Sequence, residues 1–392
     1  MHKPQSAPTL VTRARALAVA LAVITSPLPA GCAEEEPGCV PEAAAAQPLS
    51  GAYLDQARAL ADSWIKRHGA AGLKWNWEEA VLLNGVLALY DATGEARYLD
   101  YARTYVEHHL KAGYALNTSD TVAPAAAAAE LYRRTCDLRY RSVIYEVYDY
   151  LTIKAPRTKE GGINHLGPLM KSIPQLWIDS LYMFGQPMLR GGRYTREPAM
   201  EQLVADQLEI FSKVLQDDGD GLYRHASING TLVPDDDTYW ARGNSWALIT
   251  GAELLGDGAG SYPGLRARFD RQAAAILGQQ VAGQDLWYTV LSAKPTYIET
   301  AGSALIVAGL ARGLRRGLID PTKRALVDRA AAALLKTIVT RSGALTVAGT
   351  SVGTMPGSFA YYANVPQQDD VPYGVGAVLL ALVEIQRLAA SQ

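Results

Sequence analysis

From about Leu49 onward, apolar residues recur at spacings of three and four, the period of helices with one buried face. Runs that alternate at every second residue are few. The pattern predicts twelve helices, near 51–68, 76–93, 95–112, 123–134, 138–152, 176–190, 195–216, 240–255, 264–280, 300–316, 321–340 and 371–390. An internal echo supports pairing them. Leu89-Tyr90-Asp91-Ala92-Thr93-Gly94-Glu95-Ala96-Arg97-Tyr98 parallels Leu131-Tyr132-Arg133-Arg134-Thr135-Cys136-Asp137-Leu138-Arg139-Tyr140. Each reads as a helix end, a turn and the next helix start. Helical hairpins stacked in series form a solenoid, and six of them can close into a toroid. An all-α chain of twelve helices over residues 49–392 fits that closed form.

Three connections are longer than a turn requires: 154–174, 217–237 and 283–299. The last two hold short runs, Gly221-Leu222-Tyr223 and Leu286-Trp287-Tyr288, expected to be hairpin strands. Long loops on a helical scaffold are where sites usually sit.

Composition narrows the function classes. Apolar residues make up 49% of the 392, enough for a sizeable core. The formal net charge of −2 offers no basic stripe for a phosphate backbone, which excludes a nucleic-acid partner. An anionic substrate remains open, since it needs only a local cation. Tyrosine outnumbers phenylalanine by 21 to 4. That bias suits sugar recognition, through an apolar face with a hydroxyl, and also fits compositional drift.

The N-terminus reads as an export signal over residues 1–32. Lys3, Arg13 and Arg15 precede an apolar run from Ala16 to Ile24, then Leu28-Pro29-Ala30-Gly31-Cys32. The last segment resembles a bacterial lipobox, with Cys32 as the lipidated residue and Pro29 where leucine is usual. An ordinary cleaved signal is the alternative. Residues 33–48 read as a flexible tether. The expectation is an exported protein, periplasmic or a membrane-anchored lipoprotein, with secretion as the alternative. Any membrane contact would run through Cys32 alone. Cys39 and Cys136 are expected to be free thiols, a tether-to-core bridge being the alternative.

Two segments concentrate the chemistry. In Trp177-Ile178-Asp179-Ser180-Leu181-Tyr182-Met183, a carboxyl lies among aromatics. Desolvation there would raise its pKa and suit it to general-acid work. A helix-dipole role is the simpler reading. In Tyr239-Trp240-Ala241-Arg242-Gly243-Asn244-Ser245-Trp246, an arginine stands in a first helical turn, where the dipole disfavours it. A carboxylate held by two parallel hydrogen bonds would explain it, as would an acidic neighbour. Asp120, Glu78 and Glu299 each stand near a helix start, as caps or as further carboxylates of a site. His225 and His165 lie in long loops and are candidate ligand contacts. Asp217-Asp218-Gly219-Asp220-Gly221 reads as an acidic turn, since Ile228 stands where a calcium loop needs its closing glutamate. No metal-ligand spacing, phosphate loop or nucleophile elbow stands out, and no cofactor is expected.

Taken jointly, these segments resemble glycoside hydrolase family 105, the unsaturated rhamnogalacturonyl hydrolases, with the unsaturated glucuronyl hydrolases of family 88 as relatives. Asp220-Gly221-Leu222-Tyr223-Arg224-His225, Ile298-Glu299-Thr300 and Pro372-Tyr373-Gly374 add to the resemblance. It implies an (α/α)6 barrel and an acidic oligosaccharide substrate. It also implies hydrolysis that starts by protonating the C4=C5 double bond of a terminal unsaturated uronic acid. By that resemblance Asp179 is acid and then base, and Asp120 positions water and substrate. Trp177, His165, His225, Trp240, Arg242, Trp77 and Tyr373 line the sugar pocket. Two positions depart from the pattern. Leu166 follows His165 where the family often has lysine, and Ser180 follows the acid where glycine or aspartate is common. Two alternatives remain: an inverting glycosidase using Asp179 with Glu299 or Asp120, and an inactive surface protein that binds carbohydrate.

Overall fold

The computed structural model describes residues 48–258, 260–291 and 294–391. The expectations for the signal, for Cys32 and Cys39 and for nearly all of the tether therefore lie outside the described residues. Among the described residues twelve long helices dominate. They are α1 (Ala52–Arg67), α2 (Trp77–Thr93), α3 (Ala96–Ala112), α4 (Ala125–Thr135), α5 (Leu138–Asp149), α6 (Ser180–Thr195), α7 (Pro198–Leu215), α8 (Ala241–Asp257), α9 (Pro263–Gly278), α10 (Thr300–Arg315), α11 (Arg324–Leu335) and α12 (Pro372–Ala390).

Burial sorts them into two layers. The even-numbered helices are buried on nearly every face, and the odd-numbered ones bury one stripe. The buried helices pack in the order α2, α4, α6, α8, α10, α12 and back to α2, so the inner ring closes. The chain is an all-α six-hairpin toroid, an (α/α)6 barrel. Closure rests on a glycine contact. A Cβ on Gly85 would lie 2.4 Å from the Gly376 carbonyl, and one on Gly376 would lie 2.3 Å from that of Val81. α12 is long and apolar enough to cross a membrane, yet it is buried as the last stave of this ring.

The repeated hairpin turns end their first helix on a left-handed residue, Gly94 at φ 72° and Cys136 at φ 55°. Cys136 is disulfide-bonded, which overturns the expectation of a free thiol. Its partner lies outside the described residues.

Strands differ from expectation. β1 (Gln175–Trp177), β2 (Ala226–Ile228) and β3 (Thr231–Val233) form one antiparallel sheet. Tyr223 and Tyr288 make only single bridges, to Gln216 and Ile298. The helix expected to reach residue 340 stops at Leu335. Ile338-Val339-Thr340 is β-branched and opens β4 (Ile338–Arg341), which pairs with β5 (Ala344–Val347) across Ser342 and Gly343, both at positive φ. β6 (Thr350–Ser351) and β7 (Gln367–Gln368) pair next to the site.

At one end of the barrel the C-terminal parts of the inner helices line a cavity of about 240 Å³, rich in arginines and carboxylates. Buried Glu384 accepts there from Arg312, Arg315 and Arg387. The opposite end, where the inner helices begin, carries the candidate chemistry.

Candidate active site

Each inner helix delivers a residue to that end. Trp77 and Glu78 open α2, Asp120 lies on the helical turn Ser119–Val122 just ahead of α4, and Asp179 is the residue before α6. Arg242 is in the first turn of α8, Glu299 caps α10, and Tyr373 is in the first turn of α12. Helix N-termini favour negative charge, which fits the four carboxylates in this set.

The β1–β2 ladder sets the central pair. Trp177 lies opposite Ala226, and the Ile178 amide donates to the His225 carbonyl at 2.9 Å. Asp179 and His225 therefore leave the ladder side by side, with His225 Nε2 3.1 Å from Asp179 Oδ2. A second pair lies beside it, His165 Nε2 being 3.7 Å from Asp120 Oδ1. Trp177 sits between the two histidines. His165 stacks on its face at 4.4 Å, and His225 meets it edge-on at 5.8 Å. Trp240 stacks on His225 at 4.3 Å. His165 is fixed by Ser180 Oγ at 2.9 Å from Nδ1, and that serine in turn donates to Ser119 Oγ. The serine after the acid is thus part of the scaffold of the second pair.

The segment after His165, where lysine is missing, is a tight turn. Asn164 donates to the carbonyls of Gly167 and Met170 and accepts from the Gln175 amide. Gly167 has φ 56° and leaves no room for a Cβ, which would fall 1.8 Å from the Asn117 carbonyl.

The two aspartates differ electrostatically. Burial pushes the Asp120 carboxyl up, His165 opposes this, and Asp179 adds to it. Burial also pushes Asp179 up, but the charge and hydrogen bond of His225, with His165 behind, outweigh it. The Asp179 carboxyl lies below its ordinary value, the reverse of the sequence expectation. Burial likewise holds His225 down, against the pull of Asp179. Glu78 is half-buried and raised by desolvation, facing Asp120 and Arg242. Of the two readings its sequence position allows, a helix cap or a site residue, the structure places it at the site.

Arg242 is not free to clamp a ligand. Its guanidinium is buried and donates to Glu299 at 2.9 Å, to the Ser351 and Val352 carbonyls at 3.0 Å each, and to Thr354 Oγ1 at 3.0 Å. These contacts use the four terminal N–H groups, and only a buried Nε stays unpartnered. The expected two-pronged hold on a carboxylate is therefore filled by protein. The guanidinium lies over the rings of Trp240 and Tyr373, at 4.8 and 5.1 Å. Tyr373 packs on Trp77 at 4.7 Å and donates to the Ser351 carbonyl. Glu299 is equally committed, accepting from Arg242 and from the Gly302 and Ser351 amides. It cannot serve as the second carboxylate of an inverting pair.

Sequence reasoning missed Tyr362. It lies on the single helical turn Phe359–Tyr362, and its hydroxyl is 3.0 Å from His225 Nδ1. The local signal is only a serine cap at Ser358, and nothing in it points to a histidine 137 positions away.

Comparisons with known proteins agree with this architecture. The sequence model of Glycosyl Hydrolase Family 88 matches residues 57–389. The unsaturated rhamnogalacturonyl hydrolase YesR of Bacillus subtilis (strain 168) is 29% identical over 265 residues, 65% of this chain and 76% of that protein. A possible member of the GH105 family from Klebsiella pneumoniae superposes with a TM-score of 0.77 at 22% identity, over 87% of this chain and 95% of the other. The unsaturated glucuronyl hydrolase of Bacillus sp. GL1 gives 0.67 at 19% identity, over 86% and 96%.

Proposed function

The chain belongs to glycosyl hydrolase family 88 and is a glycoside hydrolase, and we infer that it removes a terminal 4,5-unsaturated uronic acid from oligosaccharides left by polysaccharide lyases. The observation that carries this reading is the double Asp–His arrangement around Trp177, in a chain whose similarity to an unsaturated rhamnogalacturonyl hydrolase spans most of both proteins.

The reaction assigns each residue a task. Asp179 gives its proton to C4, and the C4=C5 π pair forms the new C–H bond. Positive charge at C5 is shared with the ring oxygen. Water, positioned by Asp120, adds at C5 and loses a proton to Asp179. The hemiketal then opens by breaking the bond from C5 to the ring oxygen, leaving a ketone at C5. The ring oxygen stays on C1 as a hemiacetal, whose collapse to an aldehyde releases the remaining oligosaccharide as an alcohol. One water is consumed and Asp179 is regenerated. The anomeric carbon is never attacked, so two carboxylates at a set separation are not needed. Half-buried Trp77 supplies an apolar face suited to a sugar ring, while Trp177 and Trp240 are buried against the two histidines and hold them in place.

The uronate charge changes the aspartates. It enters a site already holding Asp120 and Asp179, while the neighbouring guanidinium is spent. A third anion raises the affinity of the pair for a proton, and this loads Asp179 for its role as acid.

Loss of the unsaturated ring's ultraviolet absorbance, with release of a ketone product, tests the reading. A screen should use lyase products from pectic, ulvan-type and glycosaminoglycan chains. Wild-type protein that leaves all of them intact overturns it. Export of the protein, as a lipoprotein or in cleaved form, is supported by the N-terminal sequence and by the Cys136 disulfide, which suits an oxidising compartment. Mass spectrometry of the mature N-terminus separates the two forms.

A further inference from the structure

We propose that Tyr362 decides which member of the Asp179–His225 pair carries the proton used in the reaction. Tyr362 is a positioning residue in this role, which rests on the hydrolase reading above.

The phenol lies between two fixed partners. Its oxygen accepts from the Gly357 amide at 3.0 Å, and it lies 3.0 Å from His225 Nδ1. Both side chains are buried. A phenol has one proton to give. With Gly357 donating to the oxygen, that proton is directed at Nδ1, which must then be bare. His225 therefore carries its hydrogen on Nε2 and donates it to Asp179 Oδ2 at 3.1 Å. The opposite tautomer would set a bare Nε2 against a carboxylate and strand the phenol proton inside the protein. The imidazole cannot rotate to another arrangement. Trp240 stacks on it at 4.3 Å, Trp177 closes its edge, and its own carbonyl is bound in the ladder.

The consequence appears when the pair gains a proton. On His225 that proton would occupy Nδ1 and collide with the one Tyr362 presents. On Asp179 it sits on the oxygen that His225 leaves free, available to C4. Tyr362 thus works against the imidazolium–carboxylate form, which the attraction between His225 and Asp179 favours, and tilts the pair toward the neutral acid. The other groups facing the pair are His165, Asp120 and Arg242, with Asp236 facing Tyr362. Arg242 and His165 also oppose a charged His225.

The test is nitrogen NMR of ¹⁵N-histidine protein, whose six histidines allow His225 to be assigned from its loss in His225→Gln. Expected in the wild type at its working pH is a neutral ring with hydrogen on Nε2. In Tyr362→Phe the pKa of the ring should rise by about one unit, so that double protonation sets in at a higher pH than in the wild type. The kcat should fall about tenfold while KM moves less than about twofold. A wild-type ring with hydrogen on Nδ1, or an imidazolium, overturns the proposal. So does a Tyr362→Phe titration of the His225 ring identical to that of the wild type. If Tyr362→Phe does not fold, the wild-type spectrum decides alone. Absence of turnover on every substrate would sink the hydrolase reading and leave the tautomer result standing.

Discussion

Arg242 and Glu299, at the starts of neighbouring inner helices, form a fully buried ion pair at 2.9 Å that also ties the 351–354 segment to the barrel. Removing one partner of such a pair leaves an uncompensated charge in the protein interior. Glu299→Gln and Arg242→Gln are therefore expected to destabilise by about 3–5 kcal/mol, lowering the melting temperature by about 4–7 °C. Calorimetry beside kinetics checks this. An Arg242→Gln protein with unchanged melting temperature and a greatly raised KM would restore the ligand-clamp reading.

Asp179 is held low before substrate arrives, yet it must hold a proton to act. Binding an anionic uronate should therefore draw protons from solution. Asp179→Asn should lose about a thousandfold or more in kcat, and Asp120→Asn should lose a large part of it. The slow Asp120→Asn variant should take up about one proton on binding, read from calorimetry in buffers of different ionisation enthalpy. Asp179→Asn should take up none. Because the acid must be protonated, kcat/KM should fall as pH rises through the apparent pKa of the pair. Binding without proton uptake in Asp120→Asn would show that Asp179 is not loaded this way.

The helices are legible because apolar residues recur at helical spacing in both rings, densely along inner staves such as α2 and α12 and on a single stripe of the outer ones. Left-handed caps such as Gly94 mark where one helix ends and the next begins. The strands were not, since runs of two to four residues such as Thr350–Ser351 carry too little pattern. Asp179 could be singled out by its aromatic neighbours. Its low pKa could not, because the cause is a histidine 46 positions later, placed by strand register. Arg242 misled for a related reason. A buried arginine needs a carboxylate, and sequence alone did not choose between a ligand and Glu299, 57 positions away.

Closure of the ring depends on Gly376. A Cβ there would press on Val81 and Leu82 backbone atoms, which cannot yield as a flexible side chain would. Gly376→Ala is expected to cost about 2–3 kcal/mol, the upper range for overpacking. Gly264→Ala is the control, since nothing lies within 4 Å of a Cβ at that α9 position. It should be neutral or stabilising by about 0.5 kcal/mol, from helix propensity and chain entropy. Equal effects of the two variants in urea melts would remove the glycine contact as the reason the first and last staves can touch.

Glu79, in the first turn of α2, should make stability pH-dependent in the neutral range. Its side chain is buried, Oε2 has no hydrogen-bond partner, and desolvation lifts the carboxyl from its ordinary 4.5 to about 7. Glu78 adds to the rise, while Lys74 and backbone N–H groups oppose it. The folded state thus binds this proton more tightly than the unfolded chain does. The contribution is fully present below the unfolded pKa and is lost as pH rises through about 7. At pH 8 the folded protein carries a buried carboxylate at a cost of about 2–3 kcal/mol, after discounting for partial solvent access. Glu79→Gln keeps the shape and removes the charge. It should match the wild type near pH 4 and exceed it by that amount at pH 8, so the two melting curves diverge as pH rises. A stability difference that does not change with pH would mean that Glu79 stays ionised throughout, with its charge met by Lys74.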